Sequence, residues 1–421
     1  MMKIAVFGLG YVGLTAAGCL TKEGHQVIGV DISNDKVNEI NKGLSPIKEP
    51  GLEDLLKTAI DNNLLHCTTN AGEKLGDVDL AIVCVGTPSG PDGSHNMSYI
   101  AEVSRQIASS VDRTRKTPLT VAYRSTIRPG TIEELILPIF AGVLGPDIGA
   151  VQLVYNPEFL REALAIKDYF NPPKIVIGTA DGSPNIHMDE LNKNIQAPVF
   201  YTKFREAEFT KFVDNSFHAV KVAFANEIGR ICMQLDISAA TVHKIFVSDT
   251  KLNISPYYTR PGGPFGGSCL PKDVRALQYI ASDVGAHTHL IDSLLRTNEA
   301  HKHFLFEHCT RTLEKGSHVL LLGLAFKSDS DDLRESPNVD LARKLMQAGF
   351  KLSVYDPSLR PNHLVGQNLG YAYSHLPGLS NILIGLEELE KGSFDAIVDT
   401  NGSAPALSLD QSKVVNIHAI A

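Results

Sequence analysis

Residues 3–31, KIAVFGLGYVGLTAAGCLTKEGHQVIGVD, decide the architecture. KIAVFG reads as a buried strand, YVGLTAAGCLTKEG as a helix and HQVIGVD as a second strand, which makes a βαβ unit. Gly8, Gly10 and Gly13 lie between the first strand and the helix. Glycines there permit a tight turn and let the backbone approach a pyrophosphate, whose charge is met by the helix N-terminus. Tyr11 and Val12 complete the GLGYVG turn. Asp31 ends the second strand, about 20 residues on, where an acid accepts hydrogen bonds from a ribose 2′-hydroxyl and repels a 2′-phosphate. NAD is therefore the expected cofactor. Lys36 follows, either reaching the adenosine end of the dinucleotide or standing solvated on a helix.

Working outward, further strands are expected within residues 78–86, 118–125 and 150–157, each stopping where polar residues or glycine begin. Ligands of such sheets sit at the carboxyl ends of the strands. A second alternation opens at HVLLLGLAF, residues 318–326, passes through a helix near 339–346 and continues with strands at KLSVYD, FDAIVD and KVVNIH. Between the two lies a run from Arg205 to about Leu235 with no proline and one glycine, the pattern of one long helix. Its apolar residues fall on more than one side, so burial between domains or between subunits is expected, and with it a homodimer or higher oligomer. The expected fold is α/β: two doubly wound, Rossmann-like domains joined by a long central helix and a helical middle domain. The divisions fall at 1–202 for NAD binding, 203–313 for the helical centre and dimerisation, and 314–421 for the second Rossmann-like domain. The two alternating stretches are alike in architecture, with no visible repeat in sequence.

The composition of the 421 residues, 43% hydrophobic and 20% charged, is that of a globular chain large enough for two or three domains. No apolar run approaches the roughly 18 residues of a membrane span, and no signal-peptide pattern opens the chain, so the cytoplasm is the default location. A net charge of -8 speaks against general nucleic-acid binding. Cys19, Cys67, Cys84, Cys232, Cys269 and Cys309 show no CxxC spacing, hence neither a disulfide framework nor a metal site is expected.

One cysteine stands apart. In GGSCLPKD, Cys269 just precedes a helix that Pro271 is suited to start, with Lys272 close by, and the positive potential of both would favour a thiolate. An NAD enzyme needs such a nucleophile when it oxidises an aldehyde, because the carbonyl carbon yields a hydride only after something has added to it. The oxyanion that forms needs fixed donors. Lys211, Asn215, His218 and Asn226 recur at helical spacing along one face of the long helix; they line a site or form a solvated outer face.

Taken together, GLGYVG, VGTP (85–88), RSTIRPGT, NPEFLREA (156–163), the helix with Lys211 and Asn215, GGSCLPKD and GLAFKSDSDDLRESP (323–337) resemble, in this order, the UDP-glucose and GDP-mannose dehydrogenase family. KLNISPYYTRPGGPFGGSCLPKDVRAL and LREALAIKDYFNPP are similar to the branch acting on GDP-mannose. The resemblance implies a four-electron oxidation of a nucleotide sugar CH2OH to a carboxylate, through a cysteine thiohemiacetal and thioester. Oxidation of UDP-glucose, a two-electron hydroxyacid dehydrogenase and a non-catalytic NAD-binding protein are the alternatives. By the same resemblance Cys269 is the nucleophile, and Lys211 and Asn215 hold the oxyanion and the reacting end of the sugar. Glu162 positions or activates the hydrolytic water beside the cofactor. Asp273 is the acidic partner in the cysteine loop, or a first-turn helix acid complementing the dipole. Thr87, Thr126, Lys272 and Arg334 are matched to the cofactor. Glu158, Phe159, Leu160, His218, Asn226, Tyr257, Tyr258, Arg260, Gly263 and Lys327 are matched to the sugar nucleotide, with Arg260 serving a neighbouring subunit. A GDP-mannuronate product would point to alginate-type polysaccharide synthesis.

Overall fold

Alternation along the first strand builds both faces of the sheet around it. In the computed structural model, which describes all residues except 71, 89–95, 162, 257, 259–261, 268, 327–329, 365 and 418–421, β1 is Lys3–Phe7. Ile4 and Val6 enter one hydrophobic cluster and Ala5 and Phe7 another, as side chains of period two must on a sheet covered on both sides. The remaining strands of this sheet are β2 (Gln26–Val30), β3 (Leu65–Thr68), β4 (Leu80–Val83), β5 (Leu119–Tyr123), β6 (Val151–Tyr155), β7 (Ile175–Thr179) and β8 (Val199–Lys203). Their order is β3-β2-β1-β4-β5-β6-β7-β8. All pairs are parallel except β6 with β7. Between β1 and β2 runs the helix Tyr11–Lys22, buried from Gly13 to Thr21.

The second sheet orders β9 (His318–Leu322), β10 (Lys351–Tyr355), β11 (Ala396–Asp399) and β12 (Val414–Asn416) as β10-β9-β11-β12, all parallel. Val319 and Leu321 face one cluster, Leu320 and Leu322 the other. The fold is thus mixed α/β with two doubly wound sheets, parallel but for the β6–β7 pair, and each strand expected from the sequence is present.

The chain divides into two compact units, Met1–His218 and Ala219–Ala421. The helix Phe204–Gln234, 31 residues long, begins in the first and ends in the second. At either end it lends a buried carboxylate to another helix start. Glu208 accepts from the backbone N–H of Gly130 and, at 2.9 Å, of Ile132. Glu227 accepts from Leu290 N at 2.8 Å and Ile291 N at 3.0 Å, where the helix His289–Thr310 begins. Anions at these positions satisfy N–H groups that a helix leaves unpaired. Among the described residues no helix is long and apolar enough to cross a membrane.

The two sheets also share a local design that the sequence reading missed. Gly8 N donates to Val30 O at 2.7 Å and Gly323 N to Tyr355 O at 2.9 Å, with φ of +87° and +92°. The next residue donates its N–H to the acid closing the neighbouring strand: Leu9 to Asp31 Oδ2 at 2.8 Å, Leu324 to Asp356 Oδ2 at 2.9 Å. Two residues past each acid a serine N–H meets the other oxygen, Ser33 at 3.0 Å and Ser358 at 3.1 Å. FGLG with DIS and LGLA with DPS are therefore a faint repeat.

Candidate active site

In the first unit, the carboxyl ends of β1, β2 and β4 surround a cleft of about 260 Å³ lined by Gly8, Gly10, Asp31, Lys36, Cys84 and Gly86 among others. Each glycine of the motif has its own reason. A Cβ on Gly13 would lie 1.9 Å from Gly8 O, so the helix packs against the turn only without one. A Cβ on Gly8 would meet Val85 N at 2.9 Å in a left-handed backbone conformation. At Gly10 nothing lies within 4 Å, which leaves open space before the N-terminus of Tyr11–Lys22. A bare turn, an open approach and a helix N-terminus fit a pyrophosphate.

Asp31 is buried, and its oxygens take the N–H groups of Leu9 and Ser33; Lys36 Nζ lies 3.5 Å from Oδ2. Each carboxylate oxygen offers two lone pairs, so capacity remains for ribose hydroxyls. Thr87 Oγ1 donates to Thr126 O at 2.9 Å, bringing together the hydroxyl residues that follow β4 and β5. Val12 is half-buried in the first turn of the helix.

The segment after β6 meets the long helix within the same unit. Lys211 Nζ donates to Glu158 O at 2.7 Å and to Glu158 Oε1 at 2.9 Å, while Glu158 Oε2 accepts from Leu160 N at 2.6 Å. The Lys211 ammonium stands 5.5 Å from the Phe159 ring centre and that of Lys174, paired with Asp214, 4.7 Å from it. Lys211 is thus drawn inward, its side chain 13% exposed. Asn215 and His218, further along the helix, are exposed.

In the second unit Cys269 is exposed and is the N-cap residue of the helix Leu270–Asp283, with Pro271 in the first turn. The other cysteines are buried or half-buried, and burial pushes the thiols of Cys19, Cys67 and Cys84 up to about 12 and that of Cys309 to about 11. Lys272 lies 3.5 Å from Asp273, both well exposed, a pair of small energetic weight. Arg334 grips Asp332 through Nε at 2.9 Å and Nη2 at 2.7 Å. Its guanidinium pKa is raised, first by that hydrogen bond and then by the Asp332 charge.

The cysteine loop is held from several directions. Asn298, buried, accepts from Phe265 N at 3.0 Å and donates to Phe265 O at 2.8 Å. Gly267 N donates to Glu335 O at 3.3 Å, and a Cβ on Gly266 would lie 2.4 Å from that same oxygen. Arg275, on the cysteine helix, donates twice to the Glu335 carboxylate. Arg275 and Glu335 fall within quoted motifs without standing out there, and Asn298 falls in none. Gly263, Tyr258 and Asn226 are exposed. Glu162, Tyr257, Arg260 and Lys327 lie outside the described residues.

Comparison with known proteins gives the same reading of the whole chain. Residues 2–196, 205–300 and 320–393 match the NAD binding, central and UDP binding domains of the UDP-glucose/GDP-mannose dehydrogenase family. The GDP-mannose 6-dehydrogenase of Pseudomonas putida is 44% identical over 384 residues, 91% of this chain and 87% of that protein. The UDP-glucose 6-dehydrogenase of Bacillus subtilis is 34% identical over 401 residues, 94% of this chain and 87% of its own length. A crystal structure of a ternary complex of GDP-mannose dehydrogenase from Pseudomonas aeruginosa superposes with a TM-score of 0.91 at 40% identity, covering 99% of this chain and 96% of that one. The UDP-glucose dehydrogenase of Pyrobaculum islandicum gives a TM-score of 0.55 at 31% identity, covering 100% and 95%. The chain belongs to the UDP-glucose/GDP-mannose dehydrogenase family.

Proposed function

We propose that this protein is a GDP-mannose 6-dehydrogenase that oxidises the sugar C6 alcohol to the carboxylate of GDP-mannuronate in two successive oxidations. The supporting observation is the higher identity, over nearly the whole chain, to GDP-mannose 6-dehydrogenases than to a UDP-glucose enzyme, 44% against 34%. NAD, which accepts a hydride in each oxidation, would be held by Gly8, Gly10, Gly13, Asp31, Lys36, Thr87 and Thr126, with Tyr11, Val12, Glu162, Lys272 and Arg334 assisting. Cys269, exposed at a helix N-terminus, adds as its thiolate to the aldehyde carbon and carries the acyl group as a thioester. Lys211 and Asn215 donate to the developing oxyanion, Asp273 takes part in proton transfer at the alcohol step, and Glu162 serves the hydrolytic water. Glu158, Phe159, Leu160, His218, Asn226, Tyr257, Tyr258, Arg260, Gly263 and Lys327 hold the sugar nucleotide.

Residues 1–202, 203–313 and 314–421 are proposed as the cofactor, central and sugar-nucleotide domains. Phe209, Val213, Phe217 and Val220, exposed along the long helix, support a homodimer formed over that surface. Six cysteines without a disulfide support a cytoplasmic enzyme, and the product would feed an alginate-type polysaccharide. The test is a pair of NADH progress curves. Turnover with GDP-mannose and none with UDP-glucose is the expected result; the reverse would move the substrate to UDP-glucose.

A further inference from the structure

One residue holds the chain on both sides of Cys269. Glu335 O accepts from Gly267 N at 3.3 Å, two residues before the cysteine. The Glu335 carboxylate accepts from Arg275 Nη1 at 3.1 Å and Nη2 at 3.0 Å, on the second turn of the helix that Cys269 caps. Glu335 takes φ of +53°, a left-handed conformation that a residue with a Cβ keeps only where its surroundings impose it. Those surroundings are firm. Ser336, fully buried, donates from Oγ to Leu324 O at 2.8 Å, and Asn338 Nδ2 donates to Ala325 O at 2.9 Å. Leu333 N donates to Asn368 Oδ1 at 2.9 Å, and Asn368 Nδ2 to Asp331 O at 2.9 Å. The turn is thereby fastened to the chain that continues β9, and the two glycines before the cysteine fit against it. A Cβ on Gly266 would lie 2.5 Å from Pro337 Cδ, and one on Gly267, at φ of +80°, 2.8 Å from the Phe326 ring.

The geometry points to Glu335 and Arg275 as a positioning pair for the Cys269 sulfur, an inference that rests on the nucleophilic role given above to Cys269. In that step the sulfur bonds to the aldehyde carbon and the carbonyl π pair moves onto oxygen. The oxyanion then collapses, hydride leaves for NAD, and the carbon is oxidised to the thioester. Attack needs the sulfur within about 3–3.5 Å of the carbon on an aligned path, and a displacement of about 1 Å costs on the order of 100-fold in rate. Cys269 is exposed, so little packing holds its side chain and its backbone must supply the precision. The ion pair itself is partly exposed, Arg275 52% and Glu335 38%, and adds little to stability. Its two parallel hydrogen bonds fix orientation instead. The first oxidation, alcohol to aldehyde, makes no bond to the sulfur and lies outside the influence of the pair.

The test compares Glu335→Gln, Arg275→Gln, the exchanged double variant (Glu335→Arg with Arg275→Glu) and Cys269→Ala, each given GDP-mannose, NAD and a hydrazide that traps free aldehyde. Each of the first two is expected to keep KM for both substrates within about threefold, to lower kcat for mannuronate about 10- to 100-fold and to release trapped aldehyde, while its urea midpoint stays near that of the unaltered protein. The double variant, which restores the pair in reverse, is expected to recover most of the lost kcat. A pair that only stabilised the fold would move the urea midpoint and leave kcat per folded enzyme as it was; that result overturns the inference, as does a raised KM at unchanged kcat. So does a loss confined to one single variant, or a double variant no better than either. Undiminished mannuronate from Cys269→Ala overturns the reading of Cys269 itself, whereas an inert Cys269→Ala beside unimpaired Glu335→Gln and Arg275→Gln overturns the pair alone.

Discussion

Six thiols share one chain, and that of Cys269 is the exposed one. Cys19, Cys67 and Cys84 would each leave a charge in an apolar environment on ionising, which is why their pKa values stand near 12. Cys269 lies exposed at a helix N-terminus. Iodoacetamide at about pH 8 is therefore expected to label Cys269 in the folded protein, and Cys19, Cys67, Cys84 and Cys309 only after unfolding. Peptide mass mapping reads the result, and labelling of Cys84 at the rate of Cys269 would contradict it. This residue was legible in the sequence because flanking glycines, Pro271 and Lys272 are all local signals. Asn298 was not, since its partner Phe265 is 33 residues away and no spacing rule connects them.

At the scale of elements, the long helix acts as a capping device as well as a spacer. Removing the Glu227 carboxylate leaves the N–H groups of Leu290 and Ile291 without their acceptor at the start of a 22-residue helix. Glu227→Ala is expected to cost about 1–3 kcal/mol of stability, measured by urea unfolding, because buried donors lose a charged partner. A change below a few tenths would show that the cap carries no weight. The strands found from sequence are apolar runs bounded by glycine or an acid, as β1, β2 and β9 are. Of those not found, β3 and β8 lacked that signature, while β7, IVIGT, carried it in an unfavourable setting. β3, LHCT, is short and mixed, β7 follows a proline pair and is the strand that reverses direction, and β8 is an edge strand with mostly exposed side chains. The repeat between the two sheets escaped notice because only a glycine, a leucine, an acid and a serine recur in each, and only their hydrogen bonds align them.

For the whole molecule, two doubly wound sheets and a helical centre carry the parts on which the proposed two-stage oxidation draws: a dinucleotide cleft, the half-buried Lys211 and an exposed thiol. One-step hydride transfer would need only the first. The direct test is a reaction taken to completion with limiting GDP-mannose and excess NAD, counting NADH against sugar consumed and repeating it with Cys269→Ala. The account predicts two NADH and one GDP-mannuronate for each GDP-mannose, with no mannuronate formed by the variant. One NADH per sugar from the unaltered protein, or undiminished mannuronate from the variant, would contradict it.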